Sequence, residues 1–337
     1  MKNCRNNSLK NYNSFGVDVK AKYFFEATSE DELLQILLEE IASKENKIIL
    51  GGGCNILFTK DFDGLVIKNS IKGISIIEEN DEGVLIAANA GEEWDDLVKF
   101  CVDNGYCGIE NLSAIPGTVG AAPVQNIGAY GVELNDVFHS LECIDIASKE
   151  KKIFEKDECK FGYRESIFKN ELKNKIVVTR VIIKLSKTPS LNVYYRDLRE
   201  YFEKINLEPL MPDVREAVIA IRNSKLPDYK KFGNAGSFFK NPKVSLEKVA
   251  ELKKSFPDIK SNPVDANEVK LSAAWLIEKC GYKGRRINYV GVYKNHALII
   301  VNYGGTTGME IWEFALKIQQ AVKEKFDILL EPEVNVL

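Results

Sequence analysis

The sequence predicts a mixed protein of the α+β class with two or three domains. Its 337 residues exceed twice the roughly 150 residues of an average domain, which is enough for sizeable cores. Apolar residues recur at helical spacing in some segments and form short β-rich runs in others. The longest apolar runs, such as 297–301, are far below the ~20 residues that a membrane helix needs.

The first half of the chain alternates helical and β-rich patterns. Ser29 and Glu32 form a capping-box pattern in front of leucines at helical spacing. A second amphipathic run carries Trp94, Leu97, Val98, Cys101 and Val102 on one face, and the Gly105 that follows it suits a left-handed helix cap. The predicted elements are a helix over 29–44, strands at 48–50 and 65–67, a helix from 94 to Gly105, and strands at 141–146 and 176–185.

The second half changes texture at about residue 226, where a loop rich in Gly, Asn and Pro begins. Helices then alternate with short strands, which predicts a separate α+β unit. The last helix is expected to bury Ile311, Ala315, Ile318, Val322 and Phe326. The predicted elements are helices at 246–256, 272–280 and 309–326 and strands at 288–293 and 297–302.

Composition excludes several function classes. There are 46 Lys and Arg against 49 Asp and Glu, with the two signs interspersed, so the clustered basic charge of a nucleic-acid binder is absent. The two histidines, His139 and His296, have no further ligand at metal-binding spacing, which argues against a zinc site and against a Ser/His/Asp triad. Seven cysteines without a C-x-x-C pair predict reduced cytosolic thiols. Residues 1–7 lack the apolar stretch of a secretory signal.

A run of three glycines, Gly51 to Gly53, follows the predicted strand at 48–50 and precedes Cys54 and Asn55. Glycines let backbone N–H groups approach a phosphate closely. The run lacks the third glycine of the dinucleotide fingerprint and the Lys-Ser/Thr of a P-loop. It therefore predicts either a backbone phosphate site between two strands or a tight structural turn.

A stretch of 22 residues from Asn111 to Val132 contains no charged side chain, four glycines and two prolines. It is too interrupted for a membrane helix and too long for a turn. Small residues over such a length indicate backbone lying against a large flat ligand, with a buried packing layer as the alternative.

Three further residues could carry chemistry. Ser237 lies in a loop of glycines, amides and lysines, and with no histidine nearby it suits a proton donor better than a nucleophile. Arg164 and Glu333 are the other two, and each alone is as compatible with an ordinary surface side chain. An ordinary glycine loop is likewise the alternative for Ser237.

Together these stretches resemble the flavoprotein family of UDP-N-acetylenolpyruvoylglucosamine reductases, in the longer subgroup that has a tyrosine loop. The resemblance covers nearly the whole chain and is carried by residues 13–16, 50–55, 115–131, 162–164, 194–198, 233–242 and 330–334. It implies a two-part FAD-binding fold of the vanillyl-alcohol oxidase (PCMH) type plus a C-terminal α+β substrate-binding domain. The implied domains are 1–70 and 71–225 for FAD with the tyrosine loop in the second, 226–327 for substrate, and a strand at 328–337 that returns to the active site.

The resemblance also implies an activity, UDP-N-acetylmuramate dehydrogenase, in peptidoglycan precursor synthesis and hence in cell-wall biogenesis, cell shape and cell division. NADPH would reduce FAD, and the enolpyruvyl ether of UDP-N-acetylglucosamine would then receive hydride from flavin N5. Arg164 would bind the substrate carboxylate, Glu333 would act as a hydrogen-bonding acid, and Ser237 would give the proton. FAD is expected to be non-covalent, because no histidine lies in 51–55 or 111–132.

The same resemblance also implies the partners, the cellular location and further site residues. No metal, nucleic acid or membrane partner is expected, and we expect a cytoplasmic monomer. Cys54 departs from the serine of many members, and its thiol is a weaker donor. The substrate-binding residues would be Tyr130, Tyr195, Lys225 and Asn241. The cofactor-binding residues would be Gly51, Gly52, Gly53, Cys54, Asn55, Pro116, Gly117, Gly120, Ala121, Ile127 and Gly128.

Two alternatives remain at this stage. One is an oxidase of the same FAD fold that acts on a small alcohol or amine, which would need a base rather than a proton donor. The other is a non-catalytic protein that binds a nucleotide sugar or a flavin. The presence of Ser237, Arg164 and Glu333 together argues against both.

Overall fold

The computed structural model describes residues 2–337. Within that range, no helix is both long and apolar enough to cross a membrane. The helices are α1 (Glu30–Leu38), α2 (Glu40–Lys44), α3 (Trp94–Asp103), α4 (Leu134–Val137), α5 (Arg196–Ile205), α6 (Met211–Lys225), α7 (Leu246–Ser255), α8 (Ala273–Lys279) and α9 (Gly308–Phe326). The strands are β1 (Lys2–Ser8), β2 (Lys20–Ala27), β3 (Lys47–Leu50), β4 (Ile56–Leu57), β5 (Phe62–Asn69), β6 (Ile74–Glu79), β7 (Gly83–Asn89), β8 (Gly128–Ala129), β9 (Val132–Glu133), β10 (Phe138–Asp145), β11 (Lys151–Glu155), β12 (Ile176–Ser186), β13 (Lys243–Ser245), β14 (Ser261–Pro263), β15 (Glu268–Leu271), β16 (Arg286–Ile287), β17 (Val290–Val292), β18 (Ile300–Asn302) and β19 (Asn335–Val336).

The described residues form two compact units. Unit 1 consists of residues 2–7, 21–52 and 63–224, and unit 2 consists of 8–20, 53–62 and 225–337. Two early segments belong to unit 2 because their backbone is bonded there: the Asn302 amide, for example, donates to the Phe15 carbonyl at 2.8 Å. The domain ranges predicted from the sequence stay predictions.

Unit 1 contains a four-stranded sheet in the order β1-β2-β5-β3, in which β3 and β5 run parallel. Helix α1 buries Leu33, Ile36 and Leu37 in the same apolar core as strand residues of β2 and β5. The single helix predicted over 29–44 is wrong, because Glu39 takes an extended ψ of 143° and separates α1 from α2. A carboxylate is unfavourable at the C-terminal end of a helix and favourable in its first turn, which explains why one helix ends before Glu39 and a new helix begins at Glu40.

A five-stranded antiparallel sheet, β11-β10-β12-β7-β6, forms the rest of the unit 1 framework. The predicted strands at 141–146 and 176–185 are confirmed within β10 and β12. Helix α3 buries Trp94, Leu97, Val98, Cys101 and Val102 as predicted. Gly105 follows α3 with a φ of +79°, the left-handed geometry expected of a cap.

Unit 2 is built from small sheets and three helices, α7 to α9. The apolar face predicted for the last helix is confirmed, since all five of its predicted residues are buried in α9. Phe256, Trp275 and Phe326 pack their rings together, with centroids 4.9 to 6.0 Å apart. The strand predicted at 288–293 is shorter, because Asn288 has a left-handed φ of +52° in the turn between β16 and β17.

Candidate active site

The glycine run begins in unit 1 at Gly51, directly after β3. A methyl group on Gly51 would lie 2.3 Å from Thr118 Oγ1, so Thr118 packs too closely against Gly51 for a residue with a β-carbon. Thr118 is 2% exposed, and its hydroxyl has no hydrogen-bond partner within the described residues. A buried hydroxyl of this kind is ready to bond a ligand. The sequence analysis missed Thr118, although a hydroxyl inside an uncharged glycine segment was a usable signal.

The run continues in unit 2 with Gly53, where glycine is needed for a different reason. Its φ is +66°, and a methyl group there would lie 2.0 Å from the Tyr12 carbonyl oxygen. The Gly53 carbonyl accepts a hydrogen bond from Ser14 N–H at 3.0 Å. Gly53 is therefore required by close packing of the chain itself. The tight-turn interpretation of the run therefore holds at Gly53, and the phosphate site stays a prediction.

The uncharged segment from Asn111 to Val132 also divides into two kinds of residue. Its backbone is bonded to the start of α3, as where Trp94 N–H donates to Gly117 O at 2.9 Å. Val119, Ala122 and Ile127 lie in the apolar core, whereas Pro116 and Ala121 are exposed. Ile127, predicted to line the cofactor, is 6% exposed.

Arg164 lies in a tight turn in which Gly162 and Glu165 exchange backbone hydrogen bonds. Its backbone φ is +56°, a left-handed value that turns usually assign to glycine or asparagine. One guanidinium nitrogen donates to Gly128 O at 2.6 Å, and the other donates to Asn126 O at 3.4 Å. The structure thus brings Arg164 to the predicted cofactor-lining residue Gly128.

Tyr130 and Tyr195 are also brought together, with ring centroids 5.5 Å apart in an edge-to-face arrangement. Burial raises the pKa of Tyr130 to about 12, so its phenol stays a neutral hydrogen-bond donor at any ordinary pH. Asn111 links the segments that carry the two rings, because its amide donates to Tyr130 O at 2.9 Å and to Asn192 O at 2.7 Å. The sequence analysis missed this role of Asn111.

In unit 2, Ser237 and Glu333 lie on neighbouring extended segments. Glu333 N–H donates to Phe238 O at 2.8 Å, and on the other side Ser237 is bridged to Ile299. The Glu333 carbonyl accepts from the side-chain amide of Asn55 at 3.2 Å. The acid, the hydroxyl and the end of the glycine run are therefore parts of one backbone ladder.

Two further predicted substrate residues, Asn241 and Lys225, belong to unit 2. Asn241 accepts a hydrogen bond from Ala273 N–H at 2.9 Å, which fixes its amide at the start of α8. Lys225 is the last residue of α6. All seven cysteines are reduced thiols, and Cys54 is half-buried. Within residues 2–337, no three His, Cys, Asp or Glu side chains are grouped as metal ligands.

Family models match both halves of the chain. A model described as UDP-N-acetylenolpyruvoylglucosamine reductase, C-terminal domain, matches residues 227–337. A model described as FAD binding domain matches residues 21–150. The predicted combination of an FAD-binding part and a C-terminal domain of the reductase family is thereby confirmed. The match at 227–337 favours neither the oxidase nor the non-catalytic alternative.

Curated relatives resemble the chain over almost its full length. The UDP-N-acetylenolpyruvoylglucosamine reductase of Flavobacterium johnsoniae is 50% identical over 334 residues, which is 98% of each chain. The protein of the same name from Amoebophilus asiaticus is 44% identical over 330 residues, or 98% of this chain and 97% of that one. A solved structure, the reductase from Thermus caldophilus, aligns over 99% of this chain and 98% of its own with a TM-score of 0.66 at 23% identity, a likeness of fold.

Proposed function

This chain belongs to the UDP-N-acetylenolpyruvoylglucosamine reductase family, and from that premise we propose that Arg164, Ser237 and Glu333 carry its reaction. The enzyme is an NADPH-dependent flavoprotein that reduces the enolpyruvyl ether of UDP-N-acetylglucosamine to UDP-N-acetylmuramate. This reaction belongs to peptidoglycan precursor synthesis. The observation that supports the residue assignment is that Ser237 and Glu333 lie on paired extended segments, in which Glu333 N–H donates to Phe238 O at 2.8 Å.

The residues around Gly51 fit a cofactor diphosphate. The buried hydroxyl of Thr118 packs against Gly51 and has no hydrogen-bond partner within the described residues, so it can donate to a phosphate oxygen. We propose that residues 51–55 hold the FAD diphosphate and that Pro116, Gly117, Gly120, Ala121, Ile127 and Gly128 line the cofactor. FAD reduced by NADPH supplies the hydride for the substrate alkene.

The protein groups then manage the charge that hydride addition creates. Negative charge spreads from the alkene into the adjacent carboxylate, and the permanently cationic guanidinium of Arg164 binds it. Glu333 supports that charge as a hydrogen-bonding acid. Ser237 gives its hydroxyl proton to the alkene carbon that did not receive the hydride, and its oxygen regains a proton from solvent.

We propose Tyr130, Tyr195, Lys225 and Asn241 as the substrate-binding residues. Tyr130 and Tyr195 present neutral phenols, since burial raises the pKa of each. Lys225 supplies a cation suited to the diphosphate, and Asn241 contributes its amide N–H groups. We further propose that the protein is a monomer and that it works in the cytoplasm; the seven reduced thiols support the cytoplasmic location.

An anaerobic spectrophotometric experiment tests this function. The purified protein is expected to be yellow, to be bleached by NADPH, and to regain its colour when the enolpyruvyl ether of UDP-N-acetylglucosamine is added. Small alcohols and amines serve as the matched controls and should leave the reduced protein bleached. Bleaching without recovery by the enolpyruvyl substrate would contradict the proposed function.

A further inference from the structure

Asn126 is a buried asparagine in the uncharged segment to which no role has been given above. It is 0% exposed, and its φ of +44° lies in the left-handed region. Asparagine enters that region more easily than most residues. A buried amide needs hydrogen-bond partners, so the partners of Asn126 show what it holds in place.

The side chain of Asn126 makes three hydrogen bonds. Its Nδ2 donates to Glu133 Oε2 at 2.7 Å and to Gly162 O at 3.1 Å. Its Oδ1 accepts from Asn135 N–H at 2.9 Å. Asn126 therefore joins its own segment to the turn that begins at Gly162.

That turn presents Arg164 in a strained conformation. A left-handed φ is unfavourable for a residue with a β-carbon, and such strain persists only where the surroundings hold it. Asn126 contacts the turn at two places. Its side chain bonds the turn backbone at Gly162, and its main-chain oxygen accepts from the Arg164 guanidinium.

We propose that Asn126 is a positioning residue for Arg164. Its amide holds the strained turn so that the guanidinium keeps one direction, while Gly128 O fixes the other nitrogen at 2.6 Å. The inference rests on the proposed role of Arg164 as the group that binds the substrate carboxylate. A displacement of about 1 Å at such a group can cost about 100-fold in rate.

The variant Asn126→Asp tests the proposal with little change in volume. Aspartate tolerates the left-handed φ and keeps an acceptor for Asn135, but it lacks both N–H donors and meets the carboxylate of Glu133. We expect flavin reoxidation by substrate to slow about 10- to 100-fold, with flavin reduction by NADPH changed less than about twofold. The matched control is Asn174→Asp, because Asn174 is exposed and also left-handed, with a φ of +58°. It should change neither half-reaction.

A double-mutant cycle with Arg164→Ala separates positioning from general structural damage. If Asn126 acts through Arg164, Asn126→Asp should slow reoxidation less than about twofold once Arg164 is alanine. If the double variant instead shows the full product of the two single-variant losses, the inference about Asn126 is overturned and the proposed role of Arg164 is not. Unchanged reoxidation in Arg164→Ala would overturn the proposed role of Arg164 and the inference with it.

A milder variant covers the case in which Asn126→Asp does not fold. Glu133→Ala removes one partner of Asn126 and leaves its bond to Gly162 intact. It should slow reoxidation selectively by a smaller factor than Asn126→Asp, and the loss should again vanish in the Arg164→Ala background. Equal slowing of both half-reactions would overturn the inference.

Discussion

The two units hold their candidate site residues by different physical means. In unit 2, Ser237 and Glu333 lie on extended segments joined by backbone hydrogen bonds. In unit 1, several non-glycine residues around the candidate site have left-handed backbones, namely Ala114, Asn126, Tyr130 and Arg164.

The difference concerns which substitutions each unit tolerates. A backbone ladder forms with almost any side chain, so in unit 2 only the reacting groups themselves should be sensitive. A left-handed residue other than glycine needs specific contacts to hold it. In unit 1 these come from polar side chains, as where Asp95 Oδ1 accepts from Ala114 N–H at 2.6 Å. Residues that never touch substrate should therefore matter more in unit 1.

The largest expected effect comes from Ser237→Ala in unit 2. Since the ladder fixes the backbone of Ser237, the substitution removes the proton donor and leaves its neighbours in place. We expect reoxidation of reduced flavin by substrate to slow by about 10²- to 10⁴-fold, the usual contribution of a general acid. Reduction by NADPH should stay close to normal. Stopped-flow measurement of the two half-reactions checks this, and equal losses in both would show that Ser237 is not the proton donor.

The fold could be predicted best where one periodic pattern dominates. The apolar faces of α3 and α9 were predicted residue by residue, because both helices bury a single stripe. Helix α5 was not predicted, since it buries only Leu198 and Phe202 among charged residues. The sequence interpretation placed a loop at 194–198, but α5 begins at Arg196.

The candidate reacting residues could be proposed from the sequence, whereas the residues that support them could not. Ser237, Arg164 and Glu333 occur in distinctive motifs, which made them recognisable. Asn126 also lies in such a motif, but the sequence predicts no role for it, because its proposed function depends on Gly162, 36 positions away. Long-range hydrogen bonds of this kind leave no periodic or local signal in a single sequence.

The next effect tests the side-chain supports of unit 1 through Asp95→Asn. Asp95 forms a bidentate pair with Arg215 at 2.6 and 2.9 Å, and Arg215 is only 13% exposed. Breaking a buried pair costs about 3–5 kcal/mol, and since Asp95 is partly exposed we expect about 2 kcal/mol. Urea unfolding at a fixed, saturating FAD concentration measures the loss. Asp103→Asn, which breaks an exposed pair with Lys99 in the same helix, should cost less than about 0.5 kcal/mol.

The same pair predicts a pH dependence. Burial alone would raise the pKa of Asp95, but hydrogen bonds from Arg215 and from Ala114 N–H lower it below its ordinary value of 3.8. The stability from Asp95 is therefore present above that value and is lost as the pH falls through the lower pKa of the folded state. The difference in unfolding free energy between wild type and Asp95→Asn should be constant from pH 7 to 5 and shrink towards pH 3. A constant difference down to pH 3 would show that the carboxylate is not held by its charge.

The smallest effect is expected for Asn335→Ala, beside Glu333 in the ladder of unit 2. The substitution removes the bond from the Asn335 amide to Asn55 O at 3.1 Å. The backbone bonds from Asn335 N–H to Asn55 O and from Leu337 N–H to Leu57 O remain, and they keep Glu333 in register. We expect less than about 1 kcal/mol of destabilisation and less than about a threefold change in reoxidation. If Asn335→Ala slowed reoxidation as much as Asn126→Asp, side chains and not the backbone ladder would hold Glu333 in place. The contrast between the two units would then be wrong.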